Sequence, residues 1–231
     1  VLNLAKEDSP WRDVRVRQAA NYCVDRDGIV KLLNGLAEPS VGFFSPKNPL
    51  FGKPKNAYKL DPERAKKLLA EAGYGPGKPV KAKIMISTSG SGQMHPLPMN
   101  EFIQQSLKRC GFDIAFEVVE WGAMLVAFRN HPTGPPAKGV DAVNISLVAS
   151  DVSQMARWFH PGTFAPNGSN WGHWKTSVAE AAWNKIDHAT DQKEMDAQIR
   201  TVHEQLVDDA PWLWIVHDVN PRAMSKRVKG F

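Results

Sequence analysis

Apolar residues recur at helical spacing in several stretches of the chain. The clearest stretch begins at Asp61-Pro62-Glu63, which supplies an N-cap, a first-turn proline and a negative charge where a helix favours one. Four apolar residues between positions 65 and 72 share one face, and Gly73 ends the helix. The same criteria predict seven further helices, from an entry near Ser9 through Val24, from Asp25 or Asp27 to Leu33, and over residues 98–109, 121–129, 152–159, 177–189 and 192–208.

Other segments alternate apolar and polar residues or are rich in β-branched and aromatic residues, as strands are. They predict strands at residues 80–87, 113–120, 141–148 and 211–217, and the apolar residues 1–4 are also strand-like. Residues 39–59 and 160–174 show no period and predict long loops. Strands that alternate with helices predict an α/β fold, a mixed sheet flanked by helices. We expect the two ends, residues 1–4 and 211–216, to pair side by side where the chain enters and leaves one lobe.

Composition supports a globular protein and argues against a nucleic-acid partner and a membrane span. Of 231 residues, 42% are apolar and 23% are charged, which suits a packed core. The net charge is +5, but the basic tracts Arg12–Arg17, Lys78–Lys83 and Lys226–Lys229 are short and separated, so we expect no nucleic-acid partner. No apolar run approaches a membrane span, and residues 1–8 do not resemble a signal peptide. Because the chain begins with Val1, we expect a processed or truncated product.

Cysteine and histidine usage predicts neither a metal site nor a cofactor. Cys23 and Cys110 are too few for a disulfide scaffold or a cysteine zinc site, and each lies in an apparently helical stretch. The sequence favours two buried thiols, with a single Cys23–Cys110 bridge as the alternative. The seven histidines show no metal-binding spacing.

Two segments carry a family resemblance. Residues 9–20, SPWRDVRVRQAA, continued by Val24-Asp25-Arg26, and residues 61–74, DPERAKKLLAEAGY, resemble the signature segments of the peptide/nickel/opine-type extracellular solute-binding proteins of ABC transporters, family 5. Further agreement lies in residues 111–113, 118–121, 210–214 and 228–231 and in the strand that begins at Asp141, so the resemblance spans nearly the whole chain. It implies a periplasmic-binding-protein-like fold of type II, in which two lobes trap a ligand.

The resemblance also implies an organisation and a function. Residues 1–8 would form a crossing strand, residues 9–209 the second ligand-binding lobe, and residues 210–231 the return crossing into a mostly missing first lobe. The protein would be the receptor of an ABC importer, bind a peptide-like or related solute and deliver it to the permease in the inner membrane. It would be a periplasmic monomer without enzymatic activity.

Two loops are candidates for ligand contact, because open α/β sheets bind ligands at the carboxyl ends of their strands, beside helix N-termini. The first loop follows the strand at residues 80–87, and its hydroxyl groups and glycines would let the backbone approach a ligand. A flexible connector is the alternative, and the loop lacks the Gly-Lys-Ser/Thr ending of a nucleotide P-loop. Its candidate residues are Ser89, Gly90, Gln93, Met94 and His95.

The second loop carries Ser150 and Asp151. By resemblance to peptide-binding members of the family, Asp151 would pair with the α-ammonium group of the ligand; alternatively, it only caps the helix that begins at Val152. The family's dipeptide-binding members also use an arginine for the ligand carboxylate. The region before the helix at residues 98–109 has Gln93 and His95 but no arginine, which argues against a free dipeptide.

Two tryptophans and two histidines complete the candidates. Trp171 and Trp174 lie in an aperiodic loop, where aromatic side chains could form the wall of a binding site. A hydrolase is the competing class, with Asp151 acting beside His160 or His173. No spacing in the sequence fixes that pair, so the receptor is the favoured function.

Overall fold

The computed structural model describes residues 1–219 and 224–230 of the chain. In order, the helices are α1 (Val14–Cys23), α2 (Arg26–Leu32), α3 (Pro62–Glu71), α4 (Pro96–Lys108), α5 (Trp121–Arg129), α6 (Val152–Phe159), α7 (Ser177–His188) and α8 (Gln192–Asp209). The strands are β1 (Ala37–Pro39), β2 (Val80–Ser87), β3 (Phe112–Val119), β4 (Ala142–Val143) and β5 (Val216–Asp218). All eight predicted helices are confirmed. Most of their ends lie within two or three residues of the predicted positions, and the exception is the start of α1, at Val14 and not near Ser9.

Aspartate caps explain where several helices begin. The carboxylates of Asp25, Asp61 and Asp191 each accept a hydrogen bond from a backbone N–H three residues further along the chain. These bonds satisfy N–H groups that have no partner inside the helix. The helix starts were predictable from sequence because this signal is local.

The central sheet is three-stranded in the order β3-β2-β4, and its strands are parallel. β2 and β3 pair along their full length, from Val80 opposite Phe112 to Ser87 opposite Val119. Leu2 adds an antiparallel bridge to Ala142 beyond β4, so the central sheet is mixed, as predicted. The parallel strands end together at one edge, where the loops after β2 and β4 lie side by side.

Buried residues from the first residues of the chain and from α4 pack against this sheet. Trp11 stacks on Phe112 of β3, with ring centroids 5.9 Å apart. Ile103 and Leu107 of α4 are buried with the sheet residues. None of the described helices combines the length and the apolar character that a membrane crossing needs.

Two predicted strands are shorter than expected. The strand predicted at residues 141–148 is confirmed only at Ala142–Val143, because the chain then leaves the ladder: the Asn144 N–H donates to Met85, whereas the Ser146 N–H donates to Ser91, in the loop after β2. The strand predicted at residues 211–217 is reduced to Val216–Asp218.

The prediction that the two ends pair as strands was wrong for most of their length. They meet through one hydrogen bond, from the Leu2 N–H to the Pro211 carbonyl at 3.3 Å. Otherwise the first residues pair with β4, and β5 pairs with β1 in an antiparallel two-stranded sheet. Residues 220–223 and 231, within the predicted return crossing, lie outside the described residues.

A disulfide bond joins Cys23, at the end of α1, to Cys110, between α4 and β3, with their Cα atoms 6.2 Å apart. Both cysteines are buried, as predicted, but the bridge that the sequence left as the alternative is the one that forms. The sequence could not indicate the pairing, because the two cysteines are 87 positions apart and no local pattern shows that they lie close together.

Candidate functional site

A groove of about 790 Å³ lies at the edge where β2 and β4 end. Four parts of the chain form its walls: the loop after β2, the loop after β4, the loop after β1, and strand β5. Its lining residues are Phe43, Phe44, Ser45, Asn48, Gly92, Met94, Ser146, Leu147, Val148, Ala149, Ser150, Val216, His217 and Asp218. Val148 is 61% exposed, so the groove presents apolar surface to solvent beside its hydroxyl and amide groups.

The two loops predicted from sequence form one continuous wall. The Ser146 N–H donates to the Ser91 carbonyl at 2.9 Å. Gly92 has a φ of +80°, and a Cβ atom added there would lie 2.9 Å from the Cβ of Ser146. Glycine is therefore required at position 92 both by its backbone conformation and by the close approach of the loops.

A chain of amide groups supports this wall from beneath. The Gln93 carbonyl oxygen accepts a hydrogen bond from the Ser91 hydroxyl at 3.2 Å and faces the Asn100 amide at 3.5 Å. The Asn100 carbonyl oxygen accepts from the Asn144 amide at 2.5 Å. Asn100 lies on α4 and Asn144 follows β4, so the network ties both loops to the helix between them. Gln93, predicted to contact ligand, belongs to this network and also lines a neighbouring pocket of about 60 Å³.

The opposite wall depends on a buried histidine. His203 of α8 is fully buried, and its Nδ1 donates to the Phe51 carbonyl at 2.7 Å while its Nε2 accepts from the Phe44 N–H at 3.0 Å. Burial lowers the pKa of His203 to about 4, so the ring is neutral near pH 7 and can both donate and accept. One side chain thereby positions the loop that carries Phe43 and Phe44.

Strand β5 contributes the ionisable groups of the lining. His217 pairs with Glu38 across the β5–β1 ladder, and its Nε2 is buried without a hydrogen-bond partner. Burial lowers the pKa of His217 and raises that of Asp218. Both residues belong to the lining of the groove.

The predicted residues of the first loop divide between the lining and the rim. Met94 lines the groove. Ser89, Gly90 and His95 are exposed in the same loop but lie outside the lining. Gly90 packs on the side chain of Trp121 and has a φ of +77°, so it serves the turn itself.

In the second loop, Ser150 lines the groove and Asp151 lies at its rim. The Asp151 carboxylate accepts hydrogen bonds from the hydroxyls of Ser150 and Ser153, each at 2.6 Å, and from the Gln154 N–H at 3.1 Å. These bonds, the Ser150 bond foremost, lower the pKa of Asp151 to about 2. Asp151 therefore caps α6 and remains an ionised, solvent-facing carboxylate next to the groove.

Trp171 and Trp174 are in the core, at 1% and 2% exposure. The Trp171 indole N–H donates to the Ala127 carbonyl at 3.0 Å, and that of Trp174 donates to the Asp209 carboxylate. The expectation that they form a wall of the site does not fit this burial. The segment has no helix or strand period, and such a segment can still pack its tryptophans into the core. The sequence pattern therefore could not show that Trp171 and Trp174 are buried.

The acid–base pair of a hydrolase is not assembled. His160 Nε2 lies 3.4 Å from an Asp187 oxygen, and its Nδ1 accepts from the Gly162 N–H. His173 Nε2 contacts the Ala165 carbonyl at 2.8 Å. The polar contacts of both histidines are thus with residues other than Asp151. Among residues 1–219 and 224–230, no group of three or more His, Cys, Asp or Glu could hold a metal ion.

Sequence reasoning missed the walls made by the loop after β1 and by β5. The adjacent aromatic residues Phe43 and Phe44, inside a segment rich in proline and glycine, were a usable signal, because a loop seldom places two large apolar side chains together without packing them. No local signal indicated His217 and Asp218, since β5 reaches the groove only through its pairing with β1.

The chain matches one protein family and resembles several of its characterised members. Residues 1–167 match the family described as bacterial extracellular solute-binding proteins, family 5 Middle. The chain is 23% identical over 237 residues to the oligopeptide-binding protein AppA of Bacillus subtilis, covering 96% of this chain and 41% of the relative. It is 28% identical over 233 residues to heme-binding protein A of Haemophilus influenzae, covering 97% and 40%.

Solved structures share the fold. HbpA2 from Haemophilus parasuis superposes with a TM-score of 0.76 at 20% identity, covering 94% of this chain and 41% of that one. DppA from Helicobacter pylori, in complex with the peptide STSA, gives a TM-score of 0.74 at 24% identity, covering 94% and 42%. The chain thus spans about two fifths of the length of the relatives it matches. Its match to the family extends over most of its own residues, and the chain belongs to the family 5 bacterial extracellular solute-binding proteins.

Proposed function

We propose that this chain forms one ligand-holding lobe of the receptor of an ABC importer. The receptor binds a peptide-like or related small solute between two lobes and delivers it to a membrane permease without covalent chemistry. The observation that carries the proposal is the groove, whose walls come from the loops after two parallel strands and from β5. The receptor works outside the cytoplasm as a monomer, and the Cys23–Cys110 bridge suits an oxidising compartment.

The division of the chain follows from this function. Residues 1–8 and 210–231 are the crossing segments, and residues 9–209 are the lobe between them. Support comes from the Leu2–Pro211 hydrogen bond, which brings the two segments together beside the sheet. The groove is open on one side, and a second lobe would close it over the ligand.

The ligand site on this lobe includes Met94 and Ser150 in the lining, with Ser89, Gly90, His95 and Asp151 at the rim and Gln93 beneath. Asp151 is the partner of a ligand ammonium group, because its carboxylate is ionised, exposed and held in place by three hydrogen bonds. Relatives named for oligopeptides and for di- and tripeptides favour a peptide-like ligand.

Replacing Asp151 tests this role. In the full-length receptor, Asp151→Asn should weaken binding of Ala-Ala-Ala at least tenfold in calorimetry, because the charge partner of the amino terminus is lost. The affinity for N-acetyl-Ala-Ala-Ala, which has no ammonium group, should stay the same. Asparagine is also a good N-cap, so α6 keeps its start.

Asp191→Asn is the matched control, because Asp191 caps α8 in the same way. It should leave both affinities unchanged. Unchanged affinity of Asp151→Asn for Ala-Ala-Ala would assign Asp151 to capping alone.

Mass spectrometry of the recovered peptide separates receptor from hydrolase: a receptor returns the peptide intact, and cleavage would contradict the proposed function.

A further inference from the structure

Arg26 is a buried cation without a carboxylate partner. It is 4% exposed, and in the described part of the chain no carboxylate oxygen lies within 4.0 Å of its guanidinium. Burial lowers its pKa to about 10, so the group is charged near pH 7. A buried charge is costly unless hydrogen bonds replace its lost water, and here backbone carbonyls supply most of them. The atoms that Arg26 holds therefore indicate its role.

This one guanidinium closes the loop after β1 at both ends. Arg26 Nε donates to the Ser40 carbonyl at 2.6 Å, where the loop begins, and Nη1 donates to the Tyr58 carbonyl at 3.2 Å, near its end. Between these two points lie residues 43–48, four of which line the groove. Arginine can hold two separate stretches of backbone in this way, because its planar group presents several N–H donors in fixed directions.

Asn21 extends the link to the segment before β5. Its side chain is fully buried, and its carbonyl oxygen accepts from Arg26 Nη2 at 3.1 Å and from the Trp214 N–H at 3.0 Å. The Ser40 N–H in turn donates to the Ile215 carbonyl at 3.1 Å, directly before β5 begins. The loop after β1 and strand β5, which form two walls of the groove, are thus joined through two side chains of α1 and α2.

We propose that Arg26 and Asn21 are positioning residues for ligand binding, which hold these two walls in place without touching the ligand. Neither residue belongs to the lining of the groove. A binding surface depends on the residues behind it, because a displacement of about 1 Å weakens several ligand contacts at once. The inference rests on the proposed function, since it assumes that the groove holds the ligand.

Arg17 provides a matched control, because it is equally buried but holds other atoms. It is 4% exposed and donates to the carbonyls of Asp209, Trp11 and Arg12. None of these residues lines the groove. Lysine at position 17 or 26 keeps the positive charge but loses the planar group with its fixed donors, so both substitutions should lower the free energy of unfolding.

The first test compares the affinities of the two variants. In the full-length receptor, Arg26→Lys should weaken the binding of Ala-Ala-Ala by about tenfold or more in calorimetry, whereas Arg17→Lys should change it less than about twofold. Urea denaturation measures the loss of stability in each variant. If both lost stability and neither lost affinity, Arg26 would only stabilise the fold and the proposal would be overturned. Equal losses of affinity would also overturn it, because a general loosening of the lobe would then explain both.

A second test needs no ligand and therefore separates this inference from the proposed function. In ¹⁵N-labelled protein, Arg26→Lys should shift the amide signals of residues 43–48 and 216–218, and Arg17→Lys should not. Unchanged signals in Arg26→Lys, or equal shifts in both variants, would overturn the inference and leave the function intact. If the signals moved as expected but the unsubstituted full-length receptor did not bind Ala-Ala-Ala, the peptide-like ligand would be wrong and the positioning role would stand.

Asn21→Ala tests the link to β5, because it leaves the bonds from Arg26 to Ser40 and Tyr58 in place. It should shift the signals of residues 216–218 more than those of residues 43–48. Shifts confined to α1 would remove Asn21 from the proposal.

If circular dichroism shows that Arg26→Lys does not fold, Arg26→Gln and Arg17→Gln replace the two lysine variants. Glutamine buries no charge and carries its N–H donors on one nitrogen, so it can hold one end of the loop but not both. The same differences in affinity and in amide signals are expected, and their absence would overturn the proposal.

Discussion

At the scale of single residues, the groove depends on a histidine that lies outside it. His203 holds the Phe44 N–H and the Phe51 carbonyl with its two ring nitrogens, and Phe44 and Phe51 also pack against the ring. Protonation would place a second donor against the Phe44 N–H and would put a charge into the core. The loop after β1 should therefore be sensitive to acid through this one side chain.

This sensitivity has a definite sign. The pKa of His203 is about 4 in the folded protein and about 6.5 in the unfolded chain. Because folding lowers the pKa, the contribution of the neutral ring is complete above pH 6.5 and is lost as the pH falls towards 4. The loss should reach about 3 kcal/mol in the free energy of unfolding. Urea denaturation at a series of pH values measures it.

His203→Gln isolates the contribution, because glutamine keeps a donor and an acceptor but does not titrate. Its free energy of unfolding should fall less than that of the original protein over the same pH range. His188→Gln, a change of an exposed histidine, is the control and should follow the original protein. Parallel curves for His203→Gln and the original protein would contradict the assignment.

At the scale of elements, the contact between the loops after β2 and β4 fixes the groove wall. Gly92 and Gly139 both have a φ of +80°, but an added Cβ meets Ser146 at position 92 and nothing within 4 Å at position 139. Gly139→Ala therefore measures the conformational cost alone, about 1 kcal/mol. Gly92→Ala has the same conformational cost and, in addition, the cost of pushing the loop after β2 away from the loop after β4.

We expect Gly92→Ala to lower the free energy of unfolding by about 1–3 kcal/mol more than Gly139→Ala. In the full-length receptor, only Gly92→Ala should weaken peptide binding, because Gly92 and Ser146 both line the groove. Denaturant titration and calorimetry provide the two measurements. Equal effects of the two substitutions would show that the loops can part without cost.

The same contact explains how far sequence could predict the structure. Helix starts and the long strands β2 and β3 depend on local caps and local alternation, and these predictions were confirmed. The strand predicted from Asp141 was cut short because Ser146 bonds to the neighbouring loop. The groove edge was predictable from the order of strands and helices, whereas the contributions of Phe44 and His217 depend on distant pairings.

At the scale of the whole molecule, the chain is held together by links between regions far apart in sequence. Asn3 donates to the carbonyls of Pro132 and Val140, and buried Arg17 forms an ion pair with Asp209 at 2.7 Å. The Cys23–Cys110 bridge adds a covalent link between the first helix and the sheet. These links connect the first residues of the chain, the end of α8 and the turn before β3 to one framework.

The disulfide should make a large contribution to stability. It closes a loop of 87 positions, and loop-closure entropy for that length corresponds to about 4.6 kcal/mol in the free energy of unfolding. Dithiothreitol should therefore shift the urea midpoint of the protein to lower concentration. The double variant Cys23→Ala/Cys110→Ala should begin at the lower midpoint and should not respond to dithiothreitol.

An equal response of both proteins would mean that the reductant acts elsewhere, and no response of either would mean that the bridge does not form in solution. Since the bridge joins α1 to the turn before β3 and not to the groove, its loss should lower stability far more than the affinity for ligand.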